Sequence, residues 1–121
     1  MKPNTHDQLP MTLADGATLR WATPADAPAY AALATHAFRI GVDNDPNPNV
    51  AAYAHDLTGD AHPLCASGDV AVVEYGGEIV AAAALMTQPL AYAGITVAAG
   101  RPELVCSHSD VRQRGYVRAI M

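Results

Sequence analysis

Apolar and polar positions alternate along this chain with two different periods, and the switches between them mark its elements. Leu19 and Trp21 alternate with Thr18 and Arg20, which predicts a first strand over Ala17 to Ala22. Thr23-Pro24-Ala25-Asp26 then combines a capping hydroxyl, an early proline and a first-turn carboxylate, and Pro28 moves the helix start towards Asp26. Tyr30, Leu33, Ala34, Ala37 and Phe38 follow at three- and four-residue steps, predicting an amphipathic helix to about Ile40. Gly41 to Pro48 reads as a loop. Asn47 or Asn49 caps a second helix, with Val50, Tyr53, Ala54 and Leu57 on one face and Gly59 at its end.

The period shortens again at Asp69. Asp69 to Tyr75 predicts a β-branched strand, Gly76-Gly77 a two-residue hairpin turn, and Glu78 to about Thr87 the returning strand. The alanines Ala81 to Ala84 favour helix by propensity, but the glycine turn and the flanking Val and Ile residues outweigh that. Past Pro89, Tyr92-Ala93-Gly94 reads as a turn into an extended piece over Ile95 to Ala98, and Gly100 separates it from a last strand over Glu103 to Ser107. A helical pattern resumes from Val111, with Val117, Ile120 and Met121 on nearby faces. Residues 1–16 read as a flexible N-terminal tail and residues 17–121 as one partial α+β domain.

Composition adds two constraints. Half of the 121 residues are hydrophobic but only 6% are aromatic, so the core is built of small side chains and its stability is expected to be modest. The net charge of −5 argues against a nucleic-acid partner held by bulk charge. That charge is unevenly spread: residues 1–100 sum to −7, whereas residues 101–121 sum to +2 with four arginines. This suits a local anion site better than a basic surface.

Other chemistry is thinly represented. Cys65 and Cys106 form no C-x-x-C pair and read as reduced, buried thiols of a cytoplasmic protein. His55, His62 and Cys65 match no metal-ligand spacing, and the Asp43 to Asn47 run lacks the glycine and glutamate of a calcium loop, so no metal is expected. No secretory segment follows Met1, and the apolar run Ile79 to Met86 is too short to span a bilayer, so no membrane association is expected.

The anion site falls in the last stretch. Arg112-Gln113-Arg114-Gly115 lies between the final strand and the helical pattern, where Gly115 lets backbone approach a ligand and Arg112, Arg114 and Arg118 supply charge. Arg112-x-x-Gly115 resembles the Q/R-x-x-G-x-G/A signature of the GNAT N-acetyltransferases. The longer run, Arg101-Pro102-Glu103-Leu104-Val105, then Ser107-His108-Ser109 and Arg112 through Ala119, resembles a bacterial branch related to the enhanced-intracellular-survival acetyltransferases. Val117 stands where the signature has Gly or Ala, and Ser109 where the branch usually has Pro.

This resemblance implies a GNAT-like acyl-CoA N-acyltransferase fold, its N-terminal portion, with a mixed, mostly antiparallel sheet and flanking helices, ending after the cofactor-binding turn. It implies acetyl-CoA as cosubstrate and a small-molecule or peptide amine as acceptor. The backbone of Val105, Cys106 and Ser107 would pair with the pantetheine amides, and Ser107 is the expected source of a carbonyl-polarising N–H. Gln113, Arg114, Gly115, Tyr116, Val117 and Arg118 would surround the pyrophosphate, with Arg112 fixing the turn. No proton-handling residue is assigned; Glu103, Cys106, His108 and Tyr116 lie nearby, with Tyr116 expected to pack the helix. Three readings stay open: an acetyltransferase chain holding the donor half, a catalytically inactive CoA- or phosphate-binding fragment of a longer protein, and an α+β domain whose arginines are a solvated helix end. The exposed edge of the last strand is a natural place for self-association.

Overall fold

The computed structural model describes residues 9–38, 47–59, 62–111 and 115–121. Its frame is a five-stranded sheet: β1 (Met11–Thr12), β2 (Thr18–Trp21), β3 (Val70–Tyr75), β4 (Glu78–Tyr92) and β5 (Ile95–Ser107), lying side by side in chain order. Each neighbouring pair runs antiparallel, so the mixed sheet expected from sequence is antiparallel throughout the described residues. β1, which pairs Met11 with Leu19, brings part of the stretch read as a tail into the sheet.

Helices cover both faces. β2 leads through a short 3-10 turn, Pro24–Asp26, into α1 (Ala27–Ala37), and α2 (Pro48–Thr58) precedes β3. Asn47 caps α2 by accepting the Asn49 N–H at 3.1 Å. Gly59 ends it, and a Cβ there would stand 3.1 Å from the His55 carbonyl. Tyr30, Leu33, Ala34, Ala54 and Leu57 of these helices bury against Val70, Val72, Ala82, Ala84, Met86 and Cys106. On the opposite face Ala71, Val73, Val80 and Ala81 meet Ala17, Leu19, Val111 and Tyr116, the last from α3 (Tyr116–Ile120). Val70 to Val73 are thus buried on both sides of the sheet, which is why the run is apolar without alternation.

The hairpin at Gly76-Gly77 forms as read, with φ of +62° and +82°, the turn whose twist matches antiparallel strands. A second turn of this kind, Ala93-Gly94 at φ +52° and +82°, joins strands longer than the sequence suggests. β4 continues through Pro89 to Tyr92, and Ile95 to Ser107 is one strand across Gly100-Arg101-Pro102. β3 pairs with β4 only as far as Ala84, so Pro89, which has no N–H to donate, sits where one side of β4 has no neighbouring strand. Pro102 is tolerated on β5 for the same reason, since β5 is the last strand of the sheet. The Cβ-free Gly100 brings β5 close to β4: a methyl group there would stand 3.3 Å from Leu85 Cδ1.

Candidate functional site: the bulged edge strand and the turn that follows it

β5 borders the sheet and carries its main irregularity. Ala82 pairs with Cys106 and Ala84 with Glu103, so Leu104 and Val105 together stand opposite Ala83 alone. This is a β-bulge, and Leu104 within it has φ +48°, a left-handed conformation that leucine seldom adopts. A bulge takes its extra residue out of the ladder and re-aims the backbone groups beside it.

Two residues from the helical layer hold this point. Tyr30, fully buried in the first turn of α1, donates its hydroxyl hydrogen to the Leu104 carbonyl at 2.8 Å. Burial also keeps the phenol from ionising, raising its pKa above the ordinary value. Tyr53 of α2 faces Glu103; its hydroxyl is pushed up chiefly by burial and then by the Glu103 carboxylate, which also takes an ion pair from Arg101 Nε at 2.7 Å. Sequence periodicity placed Tyr30 on the core face of its helix and Leu104 at the centre of a strand. Neither its partner nor the bulge has a local signal, because the first depends on a residue 74 positions away and the second on how β5 registers against Ala82 to Ala84 of β4.

The sequence-derived site residues separate into two groups. Val105, Cys106 and Ser107 follow the bulge on β5, Val105 and Ser107 half-buried and Cys106 inside the core beneath the helices. Burial pushes the Cys106 thiol up to about 12, so the reactive thiolate is absent near neutrality. His108 continues the course of the strand by donating its N–H to the Val80 carbonyl at 2.7 Å, and a 3-10 turn, Ser109–Val111, buries Val111 on the α3 side.

The second group opens α3. Gly115 precedes the helix at φ +81° and its carbonyl accepts from Ala119 at 2.9 Å. Tyr116 is buried and donates its hydroxyl to the Asp15 carboxylate, which also accepts the Ala17 N–H at 3.1 Å. Its side chain is therefore committed to packing, and its backbone is what remains for a ligand. Val117 is half-buried and Arg118 exposed. Arg112, Gln113 and Arg114 lie outside the described residues.

A cleft of about 670 Å³ opens beside the end of β5, lined by Arg20, His36, Glu74, Glu78, Ser107 and His108 among others. Its floor is an ion cluster: Arg20 donates Nη1 to Asp26 Oδ2 at 2.8 Å and Nη2 to Glu74 Oε2 at 3.0 Å. With Arg20 engaged by both carboxylates, Glu78 leaves the cleft with an excess of negative charge. Among the described residues no group of three His, Cys, Asp or Glu side chains is placed to hold a metal, and no helix is long and apolar enough to cross a membrane.

A search of curated proteins found no match. The family model described as acetyltransferase (GNAT) domain matches residues 18–121, from the second strand of this sheet through α3, and the chain belongs to that family.

Proposed function

We propose that this domain transfers an acetyl group directly from acetyl-CoA to an amine, with β5 and the turn after it holding the donor. The observation that carries this reading is the bulge at Leu104 and Val105, on the border strand of the sheet and a few residues ahead in sequence of the Arg112-Gln113-Arg114-Gly115 run. An edge strand offers backbone donors and acceptors to an extended ligand bearing amides, as it would to another strand. The residues fit the group: Val105, Cys106 and Ser107 would meet the pantetheine arm, and Gly115 with the backbone of Tyr116 and Val117 would lie near the pyrophosphate, flanked by Arg118. Arg112, Gln113 and Arg114 complete that set by resemblance.

Acetyl-CoA supplies an acyl thioester. In the transfer a C–N bond forms as the C–S bond breaks; an acceptor bound as a cation gives up one proton to become the attacking neutral amine and a second as the amide forms, and the sulfur leaves as a thiolate that is then protonated. Negative charge grows on the carbonyl oxygen, and a strand N–H fixed in place beforehand stabilises it without reorganisation. Sequence resemblance pointed to Ser107 for this role; the re-aimed backbone around Leu104 favours the bulge. Cys106 serves no covalent step, since its thiol is protonated and buried. The acceptor reaches the site as a cationic or neutral amine, small molecule or peptide, and the acidic excess of the cleft supports a cationic one. The long match from Arg101 to Ala119 supports placement beside the enhanced-intracellular-survival branch, and the two free thiols support a cytoplasmic setting.

Calorimetric titration with acetyl-CoA, compared with an Arg114→Ala, Gly115→Val variant, tests the donor site. Wild-type binding that the variant loses, followed by turnover with a panel of amines, is the expected result. A folded wild type that binds neither acetyl-CoA nor CoA overturns the reading.

A further inference from the structure

We infer that Tyr30 is a positioning residue for acyl transfer: its hydroxyl, donated to the Leu104 carbonyl, holds the β5 bulge in the arrangement that presents a strand N–H to the acyl carbonyl. The inference rests on the acetyltransferase reading above and adds a residue from the other layer of the fold to it.

A buried phenol needs a partner, and a phenylalanine would fill the same space without one. The partner here is a particular carbonyl. Of the described non-glycine residues only Ala93 and Leu104 have positive φ; Ala93 sits in a hairpin turn, and Leu104 lies within a strand. A leucine in that region is disfavoured and persists where its surroundings over-determine it. The hydrogen bond at 2.8 Å, together with the packing of the Leu104 side chain against the α1 and α2 cluster, is that constraint.

The donor is held in turn. Tyr30 is the fourth residue of α1, and the helix is fixed four positions earlier, where the Asp26 carboxylate takes Arg20 Nη1 at 2.8 Å and the Thr23 N–H at 2.8 Å. Arg20 is itself shared with Glu74 of β3. An unbroken set of contacts thus runs from the middle of the sheet through α1 to the carbonyl of the bulge. A group aimed at developing charge loses its effect when displaced by a fraction of an ångström, so rigidity here acts on rate rather than on donor affinity.

Tyr30→Phe tests this, since it keeps the ring and deletes the donor. The expected result is a kcat lower by roughly tenfold with KM for acetyl-CoA within about twofold of wild type, as for loss of one hydrogen bond that acts on the transition state. Amide hydrogen exchange should quicken at Leu104, Val105 and Cys106 and stay unchanged elsewhere in β4 and α1. A kcat within twofold of wild type overturns the inference; so does unaltered exchange at the bulge, or a loss of activity matched by faster exchange throughout the protein, which assigns Tyr30 to stability alone. If the wild type binds no CoA and acetylates no amine, the acetyltransferase reading fails and the rate role falls with it, while the exchange data still report whether Tyr30 holds the bulge.

Discussion

Arg20 and Asp26 are joined by two hydrogen bonds, Nη1 to Oδ2 at 2.8 Å and Nη2 to Oδ1 at 3.0 Å, so that the end of β2 grips the start of α1. The carboxyl is held below its ordinary value of 3.8, first by the hydrogen bonds from Arg20. A depressed folded-state pKa contributes stability that is full above the ordinary value and is lost as pH falls through the folded one. Asp26→Asn should therefore cost about 1–3 kcal/mol at pH 7, a range set by charge-assisted bonds in a partly buried pair. The gap to wild type should narrow below pH 3.8. Urea unfolding of both proteins at pH 7 and at pH 3 measures this; a gap that stays constant would show that the pair contributes nothing through its charge.

Gly77 takes φ +82° in the β3–β4 turn, and a Cβ there meets nothing within 4 Å. The cost of Gly77→Ala is accordingly conformational, about 1–2 kcal/mol. Thermal unfolding should fall by roughly 4–8 °C for each kcal/mol lost. An unchanged midpoint would mean that the turn adapts to a side chain.

Cys65 and Cys106 are both buried, and burial pushes their thiols up to about 11 and about 12. Near pH 8 a small disulfide reagent should modify neither at the rate of a free thiol, and both should react together once urea unfolds the chain. Fast modification of one cysteine in the folded protein would contradict the packing beneath β5.

The ribbon formed by the far ends of β4 and β5 bears its large apolar groups on one face: Leu90 pairs with Val97 and Tyr92 with Ile95, and these four are 47–83% exposed. No charged residue lies between Leu85 and Gly100. Replacing Tyr92 and Ile95 by lysine should change unfolding free energy by less than about 0.5 kcal/mol while raising the concentration at which the protein precipitates. Light scattering against concentration reads the second effect and urea unfolding the first. A large loss of stability would show that the ribbon is packed by something in solution.

Local pattern sufficed wherever a few neighbouring residues decide the outcome. Gly76-Gly77 needs only its own φ values to make a hairpin, Asn47 caps α2 through a residue two positions away, and the Tyr30, Leu33, Ala34 spacing sets the buried face of α1. The run from Arg101 to Ala119 likewise carried the family resemblance in its own letters. Tertiary structure decided what depends on which edges are paired. Pro89, Gly100 and Pro102 look like strand breakers in sequence, yet they lie within long strands because the neighbouring ladder ends at Ala84 and β5 is outermost. The bulge at Leu104 is of the same kind. A strand read alone has no reason to place one residue at φ +48°; the register of β5 against β4, the packing of Leu104 on the helices, and Tyr30, carried to its carbonyl by α1 from 74 residues earlier, all come from the tertiary structure.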